Sequence, residues 1–104
     1  MIEFPPLLPS ETQTLKVDFG DEMAVGETIS TQSVAATVFS GTDSSPSSII
    51  SGSASVSGTE VSQKIAAPAS AGNIYTLTWT ITTSLSQTLK KSGLVAIAPV
   101  GYAI

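Results

Sequence analysis

The stretch that decides the fold is GNIYTLTWTITTSLSQ, residues 72–87, in which apolar and hydroxyl side chains alternate strictly. Threonines fill the positions between the apolar residues, which are Tyr75, Leu77, Trp79 and Ile81. Side chains of a β-strand point to alternate faces, so this segment has one apolar face and one hydroxyl face. The pattern predicts a half-buried core strand with Trp79 as its largest core side chain, ended by a hairpin at 82–87. A ligand platform of exposed aromatics is the alternative interpretation.

The same two-residue alternation recurs outside this stretch. It predicts inward side chains in three further strands: Leu15, Val17 and Phe19; Val61, Gln63, Ile65 and Ala67; and Leu89, Val95 and Ile97 with a break near Gly93. Residues 28–40 are rich in β-branched side chains. They predict one long strand or two short ones, with a bulge near 31–33. Gly58 predicts a hairpin between residues 49–57 and 59–67.

Short strands separated by Gly, Pro and Ser turns predict the fold class. We expect an all-β, antiparallel immunoglobulin-like β-sandwich of six to eight strands with extended terminal arms. The expected organisation is a Pro-rich N-terminal arm over residues 1–13, a sandwich domain over 14–98 and an apolar C-terminal tail over 99–104.

Composition limits the classes of partner. The chain has 104 residues and a net charge of -4, with only four basic residues, so it lacks the basic surface that nucleic-acid binding requires. No apolar run approaches the roughly 18 residues of a membrane span. Charged residues make up 12% of the chain, about half of the roughly 25% typical of soluble domains. A charge-poor β-protein often has neighbours covering its surface, although Ser and Thr also solvate a surface.

The residues that usually carry catalysis are missing. Histidine and cysteine are absent, so neither a histidine-activated nucleophile nor a thiolate metal site can form. The acidic side chains of Asp18, Asp21 and Glu22 lack the spacing of an EF-hand, which favours a solvated turn over a calcium site. Ser62 and Lys64 share an exposed strand face and are expected to be solvated. We therefore expect no enzyme, no cofactor and no small-molecule substrate.

Both termini carry apolar side chains where a solvated tail would usually be polar. Three prolines stiffen the N-terminal arm and favour an extended conformation. An extended arm can add a strand to a neighbour's sheet edge. We therefore predict a partner-binding set formed by Ile2, Phe4, Leu7, Leu8, Tyr102 and Ile104. The alternative is that the terminal segments fold back over their own sandwich.

Two blocks of the sequence resemble the phage fiber-tail adaptor proteins. They are VDFGDEMAVGETIS, residues 17–30, and AGNIYTLTWTITTSLSQTLKKSGLVAI, residues 71–97. The residues that match the family pattern are Gly26, Thr28, Ile29, Gly72, Tyr75, Thr82, Thr83 and Ser84. The chain departs from the pattern at Ser86, where such hairpins often carry glycine.

The resemblance implies a structural virion protein of a tailed phage, made in the bacterial host cytoplasm and located in the tail or neck. Its implied role is that of an adaptor, linking tail or neck to fibers and forming a ring with copies of itself. The alternatives are a capsid decoration or cement protein, and a glycan-binding immunoglobulin-like module. Glycan-binding faces display exposed aromatics, and only Phe4 and Tyr102 are not assigned to the core by strand parity.

Overall fold

A computed structural model describes residues 2–98. The strands in this range are β1 (Ile2–Glu3), β2 (Thr12–Asp18), β3 (Ile29–Ser40), β4 (Ile50–Ser57), β5 (Glu60–Ala66), β6 (Ile74–Thr83) and β7 (Thr88–Ala96). Two short 3₁₀ turns, Gly20–Glu22 and Pro46–Ile49, lie in the connections. The described residues form no α-helix.

The strands form two facing sheets. One has the order β1-β7-β6-β3 and the other has the order β2-β5-β4. All pairings between neighbours are antiparallel except that of β1 with β7, which is parallel. The predicted antiparallel β-sandwich of six to eight strands is confirmed, and the arrangement is consistent with an immunoglobulin-like fold.

Strand β6 lies inside its sheet, between β3 and β7. Its residues alternate between buried and half-buried along the whole strand. The side chains predicted to face inward are fully buried, and they are Tyr75, Leu77, Trp79 and Ile81. The core reading of the opening stretch is therefore confirmed, because none of these aromatics is available as a ligand platform.

The other predicted inward faces also enter the core. Its buried residues include Leu15, Val17, Phe19, Val61, Gln63, Ile65, Ala67, Val95 and Ile97, with Leu89 half-buried beside them. Residues 29–40 form one strand, and its register slips between Ile29 and Thr31, slightly before the predicted bulge. A second slip separates Val38 from Ser40.

The β4–β5 hairpin turns at Gly58 and Thr59, as predicted from the glycine. The ladder between these strands is interrupted between Ser51 and Ser55. The buried Gln63 side chain donates there to the carbonyl oxygens of Ser51 and Gly52, each at 3.1 Å. A polar residue on the apolar parity of β5 therefore satisfies β4 carbonyls where the ladder is interrupted.

Candidate protein-protein interface

The first part of the N-terminal arm, residues 2–7, lies along β7. Ile2 pairs with Gly93 and Glu3 with Leu94. Beyond the strand, the Phe4 NH donates to the Leu94 carbonyl at 2.9 Å. In the described structure the arm therefore extends its own sheet by a short parallel strand.

The end of the arm is also held by backbone hydrogen bonds. The Leu7 NH donates to the Ala96 carbonyl at 2.9 Å, and the Ala98 NH donates to the Leu7 carbonyl at 2.8 Å. The Leu7 side chain is fully buried among the core residues. Leu7 is thus part of this chain's own core. This agrees with the alternative that the terminal segment folds back over its own sandwich.

A slot for the arm is formed where β7 carries a glycine. The Phe4 ring lies over Trp79, with 5.5 Å between ring centroids. A Cβ atom added to Gly93 would lie 2.5 Å from Phe4 Cε2 and 3.1 Å from the Ile2 carbonyl oxygen. The missing side chain at Gly93 is therefore what allows the arm to approach the sheet.

The predicted partner-binding residues differ in their burial. Ile2 and Leu8 are exposed, at 38% and 40%. Phe4 is half-buried, whereas Leu7 is buried. Tyr102 and Ile104 lie outside the described residues. Within the described range, Ile2 and Leu8 are thus the members whose side chains can contact a partner without rearrangement.

A tight turn connects the arm to β2. The Glu11 NH donates to the Leu8 carbonyl at 3.0 Å, so residues 8–11 form a β-turn with Pro9 and Ser10 at its centre. Ser10 has a φ of 65°, the left-handed region that favours glycine. The Leu8 NH donates to Glu11 Oε1 at 2.8 Å, and this hydrogen bond is the main cause of the lowered pKa of Glu11.

Two adjoining apolar recesses, of about 190 and 270 Å³, border the arm. Both are lined by Pro6, Ile74 and Ala96. The larger recess also contacts Glu3, Phe4 and Leu94, so it runs beside the arm itself. The arm and the adjacent surface of β6 and β7 therefore form one uncharged surface apart from Glu3.

The sequence reasoning did not identify Phe39 as an exposed aromatic residue. It lies at the register slip between Val38 and Ser40 and is 60% exposed. The expectation that Phe4 and Tyr102 alone escape the core was therefore wrong. The signal was present, because strand parity that points Val38 inward points Phe39 outward.

One end of the sandwich exposes two further apolar side chains, Val25 at 107% and Leu85 at 60%. Two hydrogen bonds hold their loops together. The Ser84 NH donates to the Thr28 carbonyl at 2.8 Å, and the Thr28 NH donates to Ser84 Oγ at 3.0 Å. The two sequence blocks that carry the family resemblance therefore meet at this end of the molecule.

The acidic turn is paired with a lysine. Lys91 Nζ lies 2.6 Å from Glu22 Oε1 and donates to the Asp18 carbonyl at 2.7 Å. A hydrogen bond from Thr59 and another from the Gly20 NH lower the pKa of the Asp18 carboxyl, with Lys91 adding to the effect. The described residues contain no group of three or more Asp or Glu side chains arranged to hold a metal ion.

No helix among residues 2–98 is long and apolar enough to cross a membrane. A protein-family model described as podophage GP4 fiber-tail adaptor protein gp77 matches residues 8–96. No curated protein matches the chain. The family match includes the first block quoted from the sequence, the second block up to residue 96 and most of the described sandwich.

Proposed function

This chain belongs to the podophage GP4 fiber-tail adaptor protein family, and on that premise we propose that it is a structural adaptor of a phage virion. The observation that carries the proposal is the family match over residues 8–96, which spans β2 to β7. The proposed role is to link tail or neck to fibers through protein–protein contacts. A role of this kind requires surfaces that bind other proteins and does not require a catalytic centre.

The exposed surface supports such a role. Apolar side chains are exposed on the arm, on β3 and at the loop end of the sandwich, namely Ile2, Leu8, Val25, Phe39 and Leu85. Their spread over different parts of a small domain suits contacts with more than one neighbour. The low charge of the chain reduces the desolvation penalty of covering these surfaces.

We propose that the terminal arms make the contacts between copies, which form a ring in the tail or neck region. In this proposal Ile2 and Leu8 contact the neighbour directly, Phe4 and Leu7 anchor the arm, and Tyr102 and Ile104 extend the surface. Closed rings repeat one heterologous contact, so a modest contact per copy is sufficient to fix position.

The test of the adaptor role is the location of the protein in the phage particle. Imaging of particles that carry an epitope-tagged copy should place the tag between the tail or neck and the fibers, and particles lacking the protein should lack fibers. A tag distributed over the capsid faces would instead indicate a decoration protein. Oligosaccharide binding by the isolated chain would indicate a glycan-binding module.

The arm contacts are tested by a matched pair of variants. The double variant Ile2→Ser, Leu8→Ser should reduce incorporation into particles without loss of folding. Val56→Ser is the control, because Val56 is 39% exposed but lies on β4, away from the arm. Equal incorporation of the two variants would contradict a partner-binding role for the arm.

A further inference from the structure

The turn at residues 8–11 is strained in the described conformation. A β-turn with proline at its second position and positive φ at its third is of type II, which strongly favours glycine at the third position. Here that position is Ser10, with a φ of 65°. A residue with a β-carbon is disfavoured in the left-handed region. The conformation of Ser10 therefore destabilises the turn that folds the arm back onto its own sheet.

The slot that receives the arm is complete without the turn. It is made by β7 and β6, through the Leu94 and Ala96 carbonyls, the space above Gly93 and the Trp79 ring. None of these groups depends on which copy supplies the arm. An arm from a second copy would therefore make the same hydrogen bonds and the same aromatic contact.

We propose that the N-terminal arm is exchanged between copies, so that residues 2–7 of one chain fill the slot over Gly93 of the next. This inference rests on the proposed ring-forming role. Exchange keeps every arm–slot contact and opens the turn at Pro9 and Ser10, which releases the strain at Ser10. Opened and extended, residues 8–11 span roughly 13 Å.

The balance between the closed and exchanged forms depends on two opposing effects. Association of two chains loses translational and rotational freedom, and opening the turn breaks the hydrogen bonds between Leu8 and Glu11, so both changes favour the closed form. Relief of the strain at Ser10 favours exchange, because the turn is needed only in the closed form. Exchange should accordingly grow with protein concentration.

The test uses paired cysteines, since the natural chain has none. Glu3 and Leu94 are Cα partners of the β1–β7 pairing. Neighbouring strands are about 4.8 Å apart, within the Cα separation of a disulfide. Chains with Glu3→Cys and chains with Leu94→Cys, distinguished by a size tag, are unfolded together, refolded together at high concentration and oxidised.

The exchanged arm should give a disulfide between differently tagged chains in high yield. The control mixes Thr14→Cys chains with Lys64→Cys chains, a β2–β5 pair inside the sandwich that has no reason to exchange. A yield between Glu3→Cys and Leu94→Cys chains no higher than in this control would overturn the proposal.

A second variant tests the turn. Ser10→Gly relaxes the closed conformation, so it should lower the equilibrium ratio of exchanged to closed arms by roughly fivefold. An unchanged ratio would show that the strain at Ser10 does not drive exchange. Failure of arm exchange is distinguishable from failure of the adaptor role, because a protein found between tail and fibers without crosslinked arms contradicts only the exchange.

Discussion

The buried Glu27 carboxylate accepts a hydrogen bond from the Thr83 hydroxyl and thereby joins the loop before β3 to the end of β6. Its other oxygen accepts from the Ala24 NH at 2.7 Å. Glu27 is 8% exposed and Thr83 is 3% exposed. An acidic residue in a loop thus becomes a buried link between the two blocks that resemble the adaptor family.

We predict that Glu27→Ala lowers the free energy of unfolding by about 1–3 kcal/mol, because it leaves the buried Thr83 hydroxyl and the Ala24 NH without their acceptor. A double-mutant cycle with Thr83→Val, measured by urea unfolding, should give a coupling of about 0.5–3 kcal/mol. Glu60→Ala is the control, because Glu60 only pairs with exposed Lys16 at 3.9 Å. Additive losses at Glu27 and Thr83 would rule out the link.

Trp79→Ala should lower the free energy of unfolding by about 3–5 kcal/mol, since Trp79 is fully buried at the centre of the core. Trp79→Phe should cost less, because the buried indole Nε1 has no hydrogen-bond partner among residues 2–98 and the substitution removes this donor. Phe39→Ala, at an exposed aromatic, should change stability by less than about 0.5 kcal/mol. Denaturant unfolding that ranks Phe39 above Trp79 would contradict the described core.

Gly93→Ala should displace the arm, because the added methyl group would overlap the Phe4 ring. The expected loss of stability is about 1–3 kcal/mol, accompanied by faster proteolysis within residues 2–8. Lys90→Ala, at an exposed position of the same strand, is the control. Adding Phe4→Ala should make the double variant less destabilised than the sum of the single changes. Strict additivity would mean that Phe4 does not occupy the space above Gly93.

Ser86→Gly should raise the free energy of unfolding by about 0.5–1 kcal/mol. Ser86 is the third residue of the loop between β6 and β7, residues 84–87, where its NH donates to the Thr83 carbonyl at 2.9 Å and its φ is 62°. A left-handed residue in such a loop is usually glycine, which removes the strain of the β-carbon. Ser86→Ala keeps the β-carbon and should bring no gain. If calorimetric melting shows that Ser86→Gly is less stable than the natural chain, the proposed strain at Ser86 is contradicted.

Stability should fall in acid partly through Asp43, whose Oδ2 accepts from the Tyr75 hydroxyl at 2.7 Å. This hydrogen bond, with one from the Ser45 NH, lowers the pKa of Asp43 below 3.8 in the folded state. A lowered folded-state pKa contributes stability that is present above the unfolded pKa and is lost as pH falls through the folded pKa. Melting temperatures of the natural chain and of Tyr75→Phe should therefore converge as pH falls below about 4. A gap that stays constant from neutral pH to below pH 3 would contradict the role of Asp43.

The sequence by itself determined the strands and their inward faces. Strand parity is local, because successive side chains alternate whatever the strand pairs with, and so the buried residues of β2, β5, β6 and β7 could be predicted. The exposed position of Phe39 could have been predicted from the same parity, although the sequence reasoning overlooked it. Composition also made catalysis by histidine or cysteine impossible without any knowledge of the fold.

Only the tertiary structure decided which distant segments meet. Phe4 and Gly93 are far apart in the chain, and nothing local in either residue indicates that the ring occupies the space left by the glycine. The burial of Glu27 depends in the same way on Thr83. These contacts come from the order and register of the strands, which are set by the packing of the whole core, and the arm lies along its own β7 because that packing leaves an apolar slot beside Gly93.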